Sequence, residues 1–132
     1  VSDIVDSNHK FKHMDTLHVK DLMSPMDDKY ILDANLNVGD AISRMTEDDM
    51  ELGVVFNGSG FKGTVQMVNL LKSEKEEKLQ DVALPSTVFS PTHSVSSALS
   101  ELKDTNESFA VVMEGDNPQG LLLSNEVFLK LI

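Results

Sequence analysis

Two histidines, His9 and His13, stand four residues apart, a spacing that puts two imidazoles on one helical face where they can share a metal ion. A zinc hydrolase also needs a glutamate directly after the first of them, and Lys10 occupies that place. These residues and His18 therefore read as surface or linker histidines, and no metal site is assigned. His93, beside the start of a helix, is given no chemical role. Carboxylates gather at Glu47-Asp48-Asp49 with Glu51, and again at Asp27-Asp28. A solvated loop accounts for them. The sharper alternative is a response to divalent cations or ionic strength, because screening relieves repulsion between clustered carboxylates. The spacing is not that of an EF-hand loop. Serines are plentiful, but no Gly-x-Ser-x-Gly elbow surrounds one. No Gly-x-x-x-x-Gly-Lys-Ser/Thr phosphate loop is present. No catalytic residue is assigned, and the chain is read as having no enzymatic activity of its own.

Composition narrows the function further. A chain of 132 residues suits one compact domain or two fused half-sized units. The formal net charge is -11, and Arg44 is the only arginine. Nucleic acid is excluded as a partner, since phosphate backbones need clustered cations. An anionic membrane surface is disfavoured for the same reason. No apolar run approaches the roughly 20 residues that span a bilayer, so direct membrane insertion is not expected. The polar, acidic N-terminal stretch is not a signal peptide. Cysteine is absent, which fits a reducing cytoplasm. The chain begins at Val1 rather than methionine, as an excised fragment does.

The elements that would position any site come in two copies. Val38, Ala41, Ile42 and Met45 follow the i, i+3, i+4, i+7 spacing of one helical face. The pattern returns at Val95, Ala98, Leu99 and Leu102, 57 residues later. At the same offset, the strand-like run Leu52–Phe56 matches Phe109–Met113, and Gly63–Gln66 matches Gly120–Leu123. Met67, Leu70 and Leu71 match Ser124, Val127 and Phe128. Upstream the offset becomes 60, where Val19–Met23 matches Leu79–Ala83. Asn57-Gly-Ser-Gly60 and Glu114-Gly-Asp-Asn-Pro118 read as hairpin connections. Asn37 and Ser94 are expected to cap the amphipathic helices, and Ser124 the last one. Each copy thus reads strand, helix, strand, strand, helix. Lys72–Lys78 is expected to prolong the first copy's last helix. Met23, Met45 and Met67 are expected in the core, Met50 and Met113 partly exposed near an interface. Tyr30 is the only tyrosine, at the start of the first strand, where it packs or stacks on a base.

This order of short helix, strand, helix, Val-Val strand, Gly-led strand and helix resembles the CBS motif, and two in tandem resemble a CBS pair, or Bateman module. The resemblance covers residues 17 to 132. It implies an α+β or α/β fold of two β-α-β-β-α units related by pseudo-twofold symmetry. The domain organisation would be a linker at 1–18, a first motif at 19–74 and a second at 75–132. Members of the family are regulatory attachments on enzymes, transporters and channels. They bind adenine nucleotides in clefts between motifs and dimerise. The Gly-led strand of many members runs into a Thr or Ser and then, three residues later, an Asp that accepts both ribose hydroxyls. Here those positions are Gln66 and Asn69 in the first motif, Leu123 and Glu126 in the second. Asn loses the charge, Glu keeps it with longer reach, and Leu cannot bond a phosphate. The usual proline before the Val-Val strand is Gly53 in one motif and Ala110 in the other.

The resemblance implies candidate ligand-binding residues Tyr30, Ile31, Gly53, Val54, Gln66 and Asn69 in the first motif. In the second it implies Val88, Ala110, Val111, Leu123 and Glu126, with the backbone of Ile31 and Val88 reading an adenine edge. The ligand expected is an adenine nucleotide or relative (AMP, ATP, adenosine or cyclic di-AMP), with ionic strength as the alternative signal. The stretch Glu51–Gln66, with Val1–Asp6 and Lys20–Met23, is similar to the ATP-binding subunits of glycine betaine/proline ABC transporters. This implies a cytoplasmic module at the inner face of the membrane. Its partners would be its own ATPase domain, or another host domain, and a second copy in a homodimer. The rival reading is a ligand-free dimerisation module of another transporter or enzyme.

Overall fold

The computed structural model describes residues 17–131. His9, His13 and most of the linker assigned to 1–18 lie outside the described residues. The helices are α1 (Val19–Leu22), α2 (Val38–Glu47), α3 (Met67–Leu70), α4 (Leu79–Val82), α5 (Val95–Thr105) and α6 (Ser124–Leu131). The strands are β1 (Ser24–Pro25), β2 (Ile31–Asp33), β3 (Leu52–Asn57), β4 (Gly60–Gln66), β5 (Val88–Phe89), β6 (Phe109–Glu114) and β7 (Asn117–Leu123). A single 3-10 turn, Asp28–Tyr30, precedes β2.

These elements make two compact units. One is Met26–Ser86; the other joins the residues before Met26 to those from Thr87 onward. The sheet of the 26–86 unit has the order β2-β3-β4, with β2 parallel and β4 antiparallel to β3. The sheet of the other unit has the order β1-β7-β6-β5, with β5 parallel to β6. In each, an amphipathic helix makes the crossover that parallel strands require. Asn37 Oδ1 accepts the Asp40 N–H at 2.8 Å, and Ser94 Oγ accepts that of Ser97 at 3.3 Å, so both expected N-caps form. Each hairpin closes with a two-residue loop led by glycine, Gly58 at φ +63° and Gly115 at φ +61°. Even the register irregularity recurs, between Val55 and Phe56 and between Val112 and Met113.

The sequence repeats and the compact units divide the chain differently. The short helix of each repeat is packed into the unit built from the other. Val19 and Leu22 of α1 are buried with Phe89, Val95, Leu102, Val112, Leu122 and Val127. Leu79 of α4 is buried with Leu32, Val38, Met45, Val55, Val65 and Leu70. The segment after each short helix then lies along a Gly-led strand. Ser24 pairs with Leu121 and Pro25 with Gly120. Leu84 exchanges two backbone hydrogen bonds of 2.9 Å with Thr64. Glycine is needed at both crossings. A Cβ on Gly63, which has φ +134°, would sit 2.5 Å from the Leu84 carbonyl oxygen, and one on Gly120 would overlap that of Ser24.

Three expectations are corrected. The first copy's last helix does not run on through Lys72–Lys78 but ends at Leu70. Lys75 and Glu77 instead offer their carbonyls to the N–H groups of Gly39 and Val38, satisfying the first turn of α2. Met50 and Met113 are 5% and 8% exposed and belong to the interior, because each lies at the edge of an apolar strand region rather than on an outer face. Ser124 does not cap α6 by accepting a bond; its hydroxyl and N–H both donate to the Ser108 carbonyl. His93 has a structural part: its carbonyl accepts the Val19 N–H at 2.8 Å and its ring stacks on Phe89 with centroids 4.8 Å apart.

The two long helices end alike. Asp49 and Asn106 hold left-handed backbone at φ 54° and 57°, and the next N–H returns to Met45 and Leu102 respectively. Asn suits this position; Asp adds a negative charge where the helix already presents carbonyls. Asp49→Gly is therefore expected to raise stability by about 1 kcal/mol. Urea unfolding checks it, and an unchanged or lower midpoint overturns it.

Candidate functional site

In the 26–86 unit, β2 is an edge strand that begins directly after the 3-10 turn. Asp27 holds that turn by accepting the Lys29 N–H at 3.1 Å. Tyr30 and Ile31 are half-buried at this edge, and Lys29 Nζ lies 5.4 Å from the Tyr30 ring centroid. Ile31 pairs with Val54, and Val54 with Thr64. Val54 is fully buried and Gly53 carries the Leu32 side chain against its Cα, so these two shape the strand rather than offer polar groups. Gln66 closes β4 and Asn69 lies in α3, both exposed. They come together on one shallow depression with Thr64, Val65, Leu70, Ser73, Val82 and Leu84. Its empty space, open solvent included, is ≈ 190 Å³. Small-molecule pockets run to roughly 300–1,000 Å³, so this depression is too small to enclose one. Its polar lining is neutral.

In the other unit, Val88 on edge strand β5 is 44% exposed and pairs with Val111. Ala110 and Val111 are fully buried and take the same shaping part as Gly53 and Val54. Leu123 ends β7, half-buried, and leaves its position apolar. Glu126, in the first turn of α6, is half-buried and accepts a hydrogen bond from Ser24 Oγ at 2.8 Å. Lys130, one helical turn further on, donates to the Leu22 carbonyl at 2.8 Å.

The candidate residues thus fall into two sets, one in each unit, and each set lies at a strand–helix junction or on the strands leading to it. Ser24, Thr64, Ser73 and Leu84 were not singled out from the sequence. Ser24 and Leu84 could have been found from the 60-residue upstream offset, which makes them counterparts. Among the described residues, no group of three or more His, Cys, Asp or Glu side chains is placed to hold a metal ion. Glu47, Asp48, Asp49 and Glu51 are all exposed. No described helix is long and apolar enough to cross a membrane.

No protein-family model and no curated protein sequence matches the chain. Solved structures do. The CBS domain of a bacterial CNNM/CorC family Mg2+ transporter, in complex with ATP, superposes with a TM-score of 0.80 at 18% identity, covering 93% of this chain and 92% of that one. A hemolysin-like protein containing a CBS domain from Oenococcus oeni PSU gives 0.77 at 14% identity, covering 94% and 96%. CBSX2 in complex with AMP gives 0.74 at 20% identity, covering 86% and 94%. With two sheets, two copies of the strand-helix-strand-strand-helix order and these superpositions over nearly its whole length, the chain has the fold of a tandem CBS domain pair.

Proposed function

We propose that the chain is a regulatory module that binds an adenine nucleotide or its nucleoside and conveys that state to a host protein. The observation that carries this reading is the CBS-pair fold, which ATP- and AMP-bound proteins share with it. Two features of its own residues support it. Glu126 presents a carboxylate, an acceptor-only group suited to a diol, at a strand–helix junction. Edge strands β2 and β5 bring the backbone of Ile31 and Val88 to the margins of their sheets, where main-chain groups can read a base. The Leu123 side chain has no group to bond a phosphate, so base and sugar are expected to supply most of the affinity. The chain carries no catalysis of its own. Ligand binding shifts the population of conformers that the host senses.

The finer proposal is the host: an osmoprotectant ABC importer, with the module on the cytoplasmic side and its ATPase domain in the same polypeptide. The likeness of Glu51–Gln66 to such subunits supports it. A phosphate-binding loop in the parent gene upstream of Val1 is the expected finding; a different preceding domain overturns the host assignment.

Thermal unfolding with adenosine, AMP, ATP and cyclic di-AMP, at low and high salt, tests the function. A ligand at about 100 times its Kd adds roughly 2.7 kcal/mol and moves Tm by several degrees. Adenosine is expected to stabilise at least as well as ATP. No shift with any adenine compound sinks the ligand reading and leaves a ligand-free association module. One observation favours that second reading: Val68 in α3 and Leu71, the residue that ends it, are 56% and 66% exposed. Sedimentation across a concentration series, with and without nucleotide, separates the two.

A further inference from the structure

We infer that Ser24 is the positioning residue of a ribose-diol site built on Glu126, and that only one of the two units contains such a site. The inference rests on the adenine-ligand reading above. Ser24 belongs to the first repeat and Glu126 to the second, yet they meet at 2.8 Å in a partly buried hydrogen bond. Pairing of Ser24 with Leu121 fixes the serine backbone, so its hydroxyl is held by the sheet. A glutamate has one more torsion than an aspartate. Tying down one carboxylate oxygen removes that freedom before a ligand arrives.

An ionised carboxylate has about four lone-pair sites. With one taken by Ser24, sites remain for both hydroxyls of a vicinal diol. Glu126 is also not spent on a cation. Lys130 gives its ammonium to the Leu22 carbonyl, and among the described residues no salt bridge reaches Glu126. The carboxylate is therefore oriented and still able to accept.

The other unit holds the corresponding positions with different chemistry. Leu84 bridges Thr64 there as Ser24 pairs with Leu121, and Asn69 stands where Glu126 does. Leu84 and Asn69 line the same depression, but leucine donates nothing and the amide carries no charge. The duplicated frame thus supports an oriented carboxylate in one copy alone.

Calorimetric titration of the 132-residue chain with adenosine and 2′-deoxyadenosine tests this. The unmodified chain is expected to prefer adenosine by about tenfold or more, the effect of a hydrogen bond to a charged group. Ser24→Ala is expected to weaken adenosine roughly tenfold while hardly changing 2′-deoxyadenosine, so the preference collapses. Ser24→Thr, which restores a hydroxyl, keeps it. Glu126→Gln loses it, and Asn69→Ala does not. If Ser24→Ala retains the preference, the role of Ser24 is overturned while the adenine reading stands. If Asn69→Ala abolishes it, the diol site lies in the other unit and the inference fails. If the unmodified chain binds neither compound, the adenine reading fails and this inference with it. Melting of each unliganded variant separates a lost site from a lost fold.

Discussion

Gly63→Ala will lower the unfolding free energy by about 3 kcal/mol. Two costs combine. At φ +134° the backbone occupies a region that L side chains rarely adopt, worth about 1–3 kcal/mol. The new Cβ also lies 2.5 Å from the Leu84 carbonyl oxygen and 3.1 Å from its carbon, backbone atoms that cannot rotate away. The chain after α4 must then lift off β4, breaking the two Thr64–Leu84 hydrogen bonds. Gly58→Ala is the internal control. It too has positive φ, at +63°, but nothing lies within 4 Å of its Cβ, so only about 1 kcal/mol is expected. Urea unfolding of both variants decides. Equal losses would mean that backbone strain alone matters and that Leu84 does not press on Gly63.

Leu79→Ala is expected to cost about 3–4 kcal/mol, in the upper part of the range for a buried leucine. Leu79 is fully buried although its helix has only four residues. So short a helix has no stability of its own. It exists because Leu79 enters the 26–86 core and because its N–H donates to the Leu36 carbonyl at 2.8 Å. A cavity there will lower Tm by roughly 10 °C or more. Leu71→Ala, at a residue 66% exposed, will change stability by less than about 0.5 kcal/mol. Gly63→Ala and Leu79→Ala act on the same docked segment, so the double variant should lose less than the sum. Strict additivity would show that helix and strand dock independently.

Both predictions concern the exchanged segments, where sequence reasoning reached least far. The repeated frame was legible because its signals are local. Val38, Ala41 and Met45 recur as Val95, Ala98 and Leu102, and all six are buried as their helical spacing requires. Asn37 and Ser94 cap within three residues, and the glycine-led hairpins close within two. The left-handed ends at Asp49 and Asn106 were present in the sequence too, but aspartate is a weak marker for that conformation. The candidate site was legible only as positions. Gln66 and Asn69 do meet on one surface, since Gln66 ends β4 and Asn69 lies in the helix that follows at once. What Glu126 does could not be read, because its partner is 102 residues away.

By itself the sequence determined the two copies, their elements, the strand–helix junctions and an apolar side chain at Leu123. Each follows from periodicity, turn chemistry or side-chain type within a few neighbouring residues. Tertiary structure alone decided which unit each short helix joins, why Gly63 and Gly120 cannot carry a side chain, and which carboxylate is oriented. Those outcomes depend on backbone crossing backbone and on a hydroxyl meeting a carboxylate between distant segments. No local pattern encodes such contacts; they exist only once the apolar faces of α1 and α4 have been buried.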